Sequence, residues 1–332
     1  MLTETPAGLY CEAGDFFIDP WGATPRALIT HAHGDHARPG SQAYLCAAAC
    51  APLLTRRLDP APIQTLAYGE RLTLGSVTVS FHPAGHVLGS AQIRIEGPGG
   101  VWVISGDYKR AADPTCAPFE PLRCDVFVTE STFALPVYHW DPAAAVIADL
   151  DAWWRQNAER GLTSVVFCYT IGKAQRLLAE LASITDRPVL VHGMLQAAID
   201  VYRDAGVRML PTQPLLERPR GTSLAGELVL APLSARGTPW MRRLGALSDA
   251  LASGLMRVRG VRRQRAYDRG FVLSDHADWP ALRGTIADTG AARVLATHGH
   301  AETLARYLRE QGRDAGVLRT AWEGEAGADE AP

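Results

Sequence analysis

No apolar run in this 332-residue chain approaches the roughly 20 residues that a membrane-spanning helix needs. The stretch from Met1 to Gly14 carries acids where an export leader would be basic and then apolar. The expectation is a cytoplasmic protein with no membrane partner. Cysteine is also scarce: Cys11, Cys46, Cys50, Cys116, Cys124 and Cys168 are scattered, and only Cys46 and Cys50 lie close together. A zinc site built of cysteines alone needs a second such pair, so buried free thiols are expected. An excess of one charge is lacking too, with 33 basic against 35 acidic residues and a net charge of −2. That balance argues against indiscriminate coating of nucleic acid but leaves room for a local basic groove. No internal repeat stands out. What the chain does have is apolar content, 47%, enough for one large core or two ordinary ones.

The densest chemistry is Ile29-Thr30-His31-Ala32-His33-Gly34-Asp35-His36-Ala37-Arg38-Pro39. It follows Ala27-Leu28-Ile29, an apolar run that reads as a buried strand delivering the cluster into a loop. Three imidazoles and a carboxylate crowded between His31 and His36 do not pack together in an apolar core. Imidazole nitrogen and carboxylate oxygen are ligands that suit zinc, manganese or iron. The spacing lets His31 and His33 face one metal while Asp35 and His36, past the small Gly34, face a second.

The same design recurs along the chain. Asp15-Phe16-Phe17-Ile18-Asp19 reads as a strand ending in an acid. After a helix expected from Ala43 to Arg56, the alternation of Val77, Val79 and Phe81 marks a half-buried strand that leads into Ala84-Gly85-His86. Val101-Trp102-Val103-Ile104 leads to Ser105-Gly106-Asp107, and Val126-Phe127-Val128-Thr129 leads to Glu130-Ser131-Thr132. From about Pro136 to Gly254 helices and short apolar strands alternate, which implies a parallel sheet with its own core. The earlier pattern then resumes at Phe271-Val272-Leu273-Ser274-Asp275-His276 and at Val294-Leu295-Ala296-Thr297-His298-Gly299-His300. Polar residues placed just past strand ends converge on one edge of a layered α/β fold. The tail from Glu323 reads as frayed.

The order His-x-His-x-Asp-His after a strand resembles the metal motif of the metallo-β-lactamase superfamily. With the inserted region, Glu130 in Glu-Ser-Thr, His276 in Ser-Asp-His-Ala-Asp, His298 in Thr-His-Gly and Phe167-x-x-Thr-Ile-Gly-Lys-Ala-Gln, the chain resembles the β-CASP nuclease group. The resemblance implies an αββα sandwich interrupted by an α/β insertion. Its parts would be a metallo-β-lactamase domain over 1–133 and 256–322, a β-CASP insertion over 134–255, and a tail over 323–332, with substrate passing between the domains. It implies a first metal on His31, His33 and His86, a second on Asp35, His36 and His298, and Asp107 bridging them. Two divalent ions, zinc or alternatively manganese, lower the pKa of a bound water from about 15.7 towards roughly 7. Asp19 falls where the superfamily places an acid that orients the metal loop. Asp35, Glu130 and His276 are the expected catalytic residues, with His276 as the acid for the leaving alkoxide and Glu130 holding it protonated.

The wording around Gly8-Leu9-Tyr10, Ile18-Asp19-Pro20-Trp21 and Gly106-Asp107-Tyr108-Lys109-Arg110 is similar to bacterial exonucleases associated with an ATP-dependent DNA ligase. That likeness implies DNA exonuclease action in repair, with the ligase as partner. The alternative is an RNA-processing endo- or exonuclease like the mRNA 3′-end processing factors, which a histidine rather than a valine at position 298 favours. His300 departs from the family's usual acid there. For nucleic-acid contact the candidates are Lys109, Arg110, Lys173, Arg257, Arg259, Arg262 and Arg263, because arginine forks grip phosphates. Rival readings are a small-molecule hydrolase of the same superfamily, which the insertion disfavours, and a non-catalytic scaffold, which a complete ligand set disfavours.

Overall fold

The computed structural model describes residues 1–319; the tail expected over 323–332 lies outside them. Contacts divide the chain into two units, 1–138 together with the segment from His276 on, and His139–Asp275.

The first unit holds two sheets. One runs β1 (Leu2–Thr5), β2 (Gly8–Cys11), β3 (Phe16–Ile18), β4 (Ala27–Ile29), β5 (Tyr44–Ala47) and β6 (Ile63–Leu66) in chain order, with α1 (Ala51–Leu58) joining the last two strands. The strands are antiparallel as far as β3 and parallel beyond it. Every residue of β4 and β5 is buried, as parallel strands covered on both faces require. This corrects the helix expected from Ala43. Alanines and leucines favour a helix locally, but Leu28↔Leu45 pairing draws Tyr44–Ala47 into the sheet. The α-helix starts only at Ala51, with a proline in its first turn.

The other sheet takes β7 (Arg71–Leu74), β8 (Val77–Pro83), β9 (Ala91–Gly97), β10 (Gly100–Ile104) and β11 (Val126–Glu130). The chain then leaves for the second unit.

That unit consists of α2 (Ala143–Glu159), β12 (Thr163–Phe167), α3 (Lys173–Leu181), β13 (Val189–Val191), α4 (Gly193–Asp204), β14 (Thr212–Pro214), β15 (Leu228–Ala231), β16 (Leu247–Ala252), α5 (Arg259–Arg265) and β17 (Arg269–Phe271). Its sheet, ordered β14-β13-β15-β12-β16-β17, is parallel throughout. Period-two alternation feeds two cores. Val166, Leu228, Leu230, Ala250 and Ala252 pack with Leu150, Trp154, Leu177 and Ile199 of α2, α3 and α4. Val165, Phe167, Val229, Ala231 and Leu251 point the other way, onto Leu215, Leu224, Leu244 and Met256. The sequence boundary at 255/256 falls inside this unit, because β17 pairs with β16 and holds the chain there as far as Asp275.

The chain returns through α6 (Trp279–Thr289), β18 (Arg293–Thr297), α7 (Ala301–Glu310) and β19 (Asp314–Val317). Strand β18 adds in parallel to β11 with Glu130 opposite Thr297, giving the order β19-β18-β11-β10-β9-β8-β7. Trp279, Leu282 and Ile286 of α6, with Leu304 and Leu308 of α7, form one core with Val103, Phe127, Val294 and Ala296 of this sheet. The register places the ends of β11 and β18 side by side, so Glu130 and His298 leave the sheet at the same edge.

Candidate metal centre

Strand β4 ends at Ile29, and the loop beyond it turns at once. The backbone N–H groups of His36 and Ala37 both bond to the carbonyl of His33, at 3.2 and 2.8 Å. This single turn brings His31, His33 and His36 onto the same side. Arg57 of α1 donates to the Ala32 carbonyl at 3.1 Å and holds the loop from behind. His86 arrives from the loop after β8, fixed by its N–H to Ser90 Oγ at 3.1 Å. Gly85 makes that loop: its φ is +75°, and a Cβ there would stand 2.3 Å from the Lys109 carbonyl oxygen. Asp107 follows β10.

Nε2 of His31 lies 3.1 Å from Nδ1 of His33, which lies 3.2 Å from Nε2 of His86. Asp107 Oδ2 stands 3.6 Å from His31 and 3.8 Å from His86. Ligand atoms about 2.0–2.1 Å from a tetrahedral zinc are about 3.3–3.4 Å apart, and these four separations, from 3.1 to 3.8 Å, bracket that length. The same Asp107 Oδ2 is 3.5 Å from Nε2 of His36. His36, Asp107 and His298 form a second group whose donor atoms all lie within 4.8 Å of one another. Asp35 Oδ2 is 3.8 Å from His36 Nε2. Among the described residues, neither His36 Nε2 nor Asp35 Oδ1, both buried, has a hydrogen-bond partner. Orphaned acceptor and imidazole atoms beside a shared carboxylate oxygen fit a cation. These donor groups could hold divalent metal, and Asp107 is common to both groups.

Asp19 supports this arrangement. Its Oδ2 accepts from His36 Nδ1 at 2.8 Å and from Thr30 Oγ1 at 2.6 Å, and its Oδ1 accepts from the Thr30 N–H at 2.8 Å. Holding Nδ1 in this way turns Nε2 toward the centre. Thr30 Oγ1 also sits 3.1 Å from Nδ1 of His31 and serves the first group similarly. Asp19 (φ +41°) and His298 (φ +58°) are both held in the left-handed region, a strain that clusters at functional sites.

Burial holds His31 well below the ordinary imidazole range, and neighbouring His36 and His33 push it further down. His298 is lowered to about 4, by burial first and then by His36. Burial also works against a charge on His36, but Asp107, Asp35 and Asp19 together outweigh it and raise that imidazole well above its usual value. Asp107 is held far below the carboxylate range: burial opposes its charge, and His36, His276 and His31 overcome it.

Glu130 and His276 adjoin the group. His276 Nδ1 is 3.0 Å from Glu130 Oε2 and 3.9 Å from Asp107 Oδ2. Glu130 is fully buried and its Oε1 accepts the Tyr108 N–H at 2.7 Å. Burial raises its pKa, while His276 and that N–H pull it back. His300 sits at the N-cap position of α7 without a side-chain cap bond, its ring 6.3 Å from that of Tyr138, and belongs to neither donor group.

The expected nucleic-acid contacts divide. Lys109 and Lys173 are corrected: both are buried, Lys109 paired with Asp113 and Lys173 Nζ 2.8 Å from Asp275. Their ammonium groups are committed to internal carboxylates. Arg110 pairs with Asp288, and Arg257 with Asp141 at 3.1 Å. Arg259, Arg262 and Arg263 are exposed on α5. Thr30, Ser90 and Tyr108 were missed from sequence. Their only signal was position beside a motif residue.

A mixed α/β scaffold that gathers histidines and carboxylates around two adjoining donor groups defines a metal-site protein. Over 319 residues the chain is 31% identical to a probable DNA ligase of Opitutus terrae, covering 94% of this chain but 30% of that protein. It is 31% identical over 121 residues to endoribonuclease ysh1 of Aspergillus fumigatus, and 27% identical over 143 residues to an RNase J-like protein of Methanocaldococcus jannaschii. Those matches cover 35% and 41% of this chain and 13% and 34% of the relatives, so the chain spans about a third of their length or less. A crystal structure of a protein of unknown function from Enterococcus faecalis superposes with a TM-score of 0.59, covering 90% of this chain and 80% of that one at 13% identity. No protein-family model matches the chain. The chain belongs to the β-CASP group of the metallo-β-lactamase superfamily.

Proposed function

We propose that the chain is a metal-dependent phosphodiesterase that shortens DNA from an end during repair, in the cytoplasm and alongside an ATP-dependent DNA ligase. The carrying observation is the match to a probable DNA ligase over 94% of this chain. In this reading the first unit is the αββα metallo-β-lactamase domain and the second is the β-CASP insertion. His31, His33 and His86 would hold one divalent ion, Asp35, His36 and His298 the other, and Asp107 both, with zinc preferred because nitrogen ligands dominate.

Divalent metal held by these residues would make a nucleophile available at neutral pH and would offset phosphate charge. The rest is the work of side chains. His276, oriented through Nδ1 by Glu130, presents the opposite edge of its ring to the leaving oxygen and gives it a proton. Glu130 keeps the imidazolium favourable by its charge. Asp19 and Thr30 fix the rings of His36 and His31. Arg110, Arg257, Arg259, Arg262 and Arg263 are the phosphate contacts that this reading retains.

A second reading, an RNA-processing nuclease with the same site, is favoured by the likeness to an endoribonuclease and an RNase J-like protein and by His298. A timed digest of end-labelled single-stranded DNA and matching RNA by zinc- or manganese-loaded protein, with Asp107→Ala alongside, separates the two. Stepwise shortening of DNA, abolished in the variant, supports the first reading and gives the polarity. Cleavage of RNA alone moves the protein to RNA processing. Cleavage of neither overturns both.

A further inference from the structure

The second unit carries a basic groove of about 880 Å³ that the catalytic reading does not use. Its walls are the segments just before β12, β15 and β16 and the turns that precede them. Arg218, Arg220, Arg242 and Arg243 line it, together with Trp240, and its lining contains no aspartate or glutamate. For a chain of net charge −2, four arginines with a single carboxylate paired to them among the described residues, that of Glu227, are a local excess of positive charge.

The arginines are also poorly neutralised. Arg243 donates to the Arg218 carbonyl at 2.9 Å, which fixes these two residues side by side. Arg218 meets a carboxylate only at 3.7 Å, that of Glu227, and its Nε has no hydrogen-bond partner. Arg220 and Arg242 are exposed and form no ion pair among the described residues. Trp240 is half-buried, its ring 4.8 Å from that of His192, and its Nε1 likewise lacks an acceptor. The groove therefore offers the positive charge of the exposed Arg220 and Arg242 beside the ring of Trp240 and the exposed Leu216, while Arg218 Nε and Trp240 Nε1 are buried.

We propose that this groove binds a single strand of nucleic acid, its arginines on successive phosphates and Trp240 against a base. Guanidinium forks suit phosphate oxygens, and a positive groove with an aromatic wall is how single strands are held without sequence preference. The volume lies within the range of small-molecule sites, about 300–1,000 Å³, but an open groove with cations spread along it favours a polymer over one compact anion. The proposal rests on the reading of the chain as acting on nucleic acid. It adds a contact site separate from the residues that would carry out the reaction.

The test is fluorescence anisotropy of the full chain with an end-labelled oligothymidylate of about 16 nucleotides, in chelator so that no cleavage intervenes. The double variant Arg220→Glu/Arg242→Glu is expected to weaken binding about tenfold or more per arginine at low salt. The dependence of log affinity on log salt should flatten by about 1.4, two phosphates at roughly 0.7 each for a single strand. Arg220→Lys/Arg242→Lys should retain most of the slope, since the charge stays. Unchanged affinity and slope in the glutamate variant overturn the proposal. Ultraviolet cross-linking of the wild-type chain is a check that needs no variant to fold. An adduct in the peptides spanning 215–225 or 239–246 supports the groove, and adducts confined to other peptides overturn it. Neither readout requires cleavage, so the groove can fail while the nuclease reading stands, and an inactive protein that still binds through these arginines keeps the groove while the nuclease reading falls.

Discussion

At the scale of single residues, the candidate centre is braced by groups that lie outside its donor set. Asp19 is the plainest case, because its Oδ2 holds Nδ1 of His36 and the hydroxyl of Thr30 together. Asp19→Asn leaves the shape but replaces a charged acceptor with an amide, and loss of such an outer partner typically lowers metal affinity about 10- to 100-fold. Competition with a chromophoric chelator should show that drop without a change in circular dichroism. Protonation gives a second check. Asp107, Asp35 and Asp19 push His36 well above the ordinary imidazole range, which favours a proton on the ring that a metal would have to displace. Metal uptake should therefore release protons and weaken as pH falls, which calorimetry in buffers of different ionisation enthalpy measures. For Glu130→Gln, metal content should persist while turnover falls about 10²- to 10⁴-fold, the usual weight of general acid–base catalysis. Losing the carboxylate lowers the His276 pKa. The acid is then lost at a lower pH, so the alkaline limb of the rate profile should move down. The metal motifs were readable in sequence because they are local: His31 to His36 declare themselves within one loop. Thr30 and Ser90 did not, because a hydroxyl becomes a support only once the fold sets an imidazole or an N–H beside it.

At the scale of elements, sequence reading did well where a strand end carries a polar residue and failed where neighbours decide. The run 43–56 is rich in alanine and leucine as a whole, yet a parallel partner on each side makes Tyr44–Ala47 a buried strand. Nothing within the segment announces those partners. Lys173 failed for the same kind of reason. A lysine at a helix start reads as a phosphate contact until the fold places Asp275 against it. That pairing is itself testable. Asp275 Oδ2 is 2.8 Å from Lys173 Nζ and its Oδ1 is 3.1 Å from Arg176, with all three residues buried. Arg176 also donates to the Ser274 carbonyl at 2.7 Å. Arg176 keeps Glu180 at 3.5 Å, so removing Asp275 weakens rather than empties the pairing of these buried cations, and the loss should lie toward the lower end of the about 3–5 kcal/mol typical of a broken buried pair. Asp275→Ala should lose stability of that order in urea unfolding. Asp275→Asn, which keeps an acceptor, should lose less.

At the scale of the whole molecule, the question is where the second unit ends. Composition alone placed its end near Gly254, where the alternation of helices and strands fades. The fold carries it to Asp275 for two reasons: Ala250, Leu251 and Ala252 of β16 pair with Arg269, Gly270 and Phe271 of β17, and the Lys173 and Arg176 charges are matched by Asp275. The unit has a core on each face of one parallel sheet, and a contiguous segment of this size falls in the ordinary range of independently folding domains. Two fragments separate the alternatives. The segment 139–275 should unfold cooperatively, with fixed near-ultraviolet circular dichroism from Trp153 and Trp154. The segment 139–255 lacks β17, Phe271 and Asp275, so it exposes a hydrophobic strand edge and takes the Asp275 carboxylate away from the buried Lys173 and Arg176. It should aggregate, or unfold at a far lower urea concentration. Equal stability of the two fragments would show that the unit closes before β17, and that the last twenty residues to Asp275 are held only by the rest of the chain.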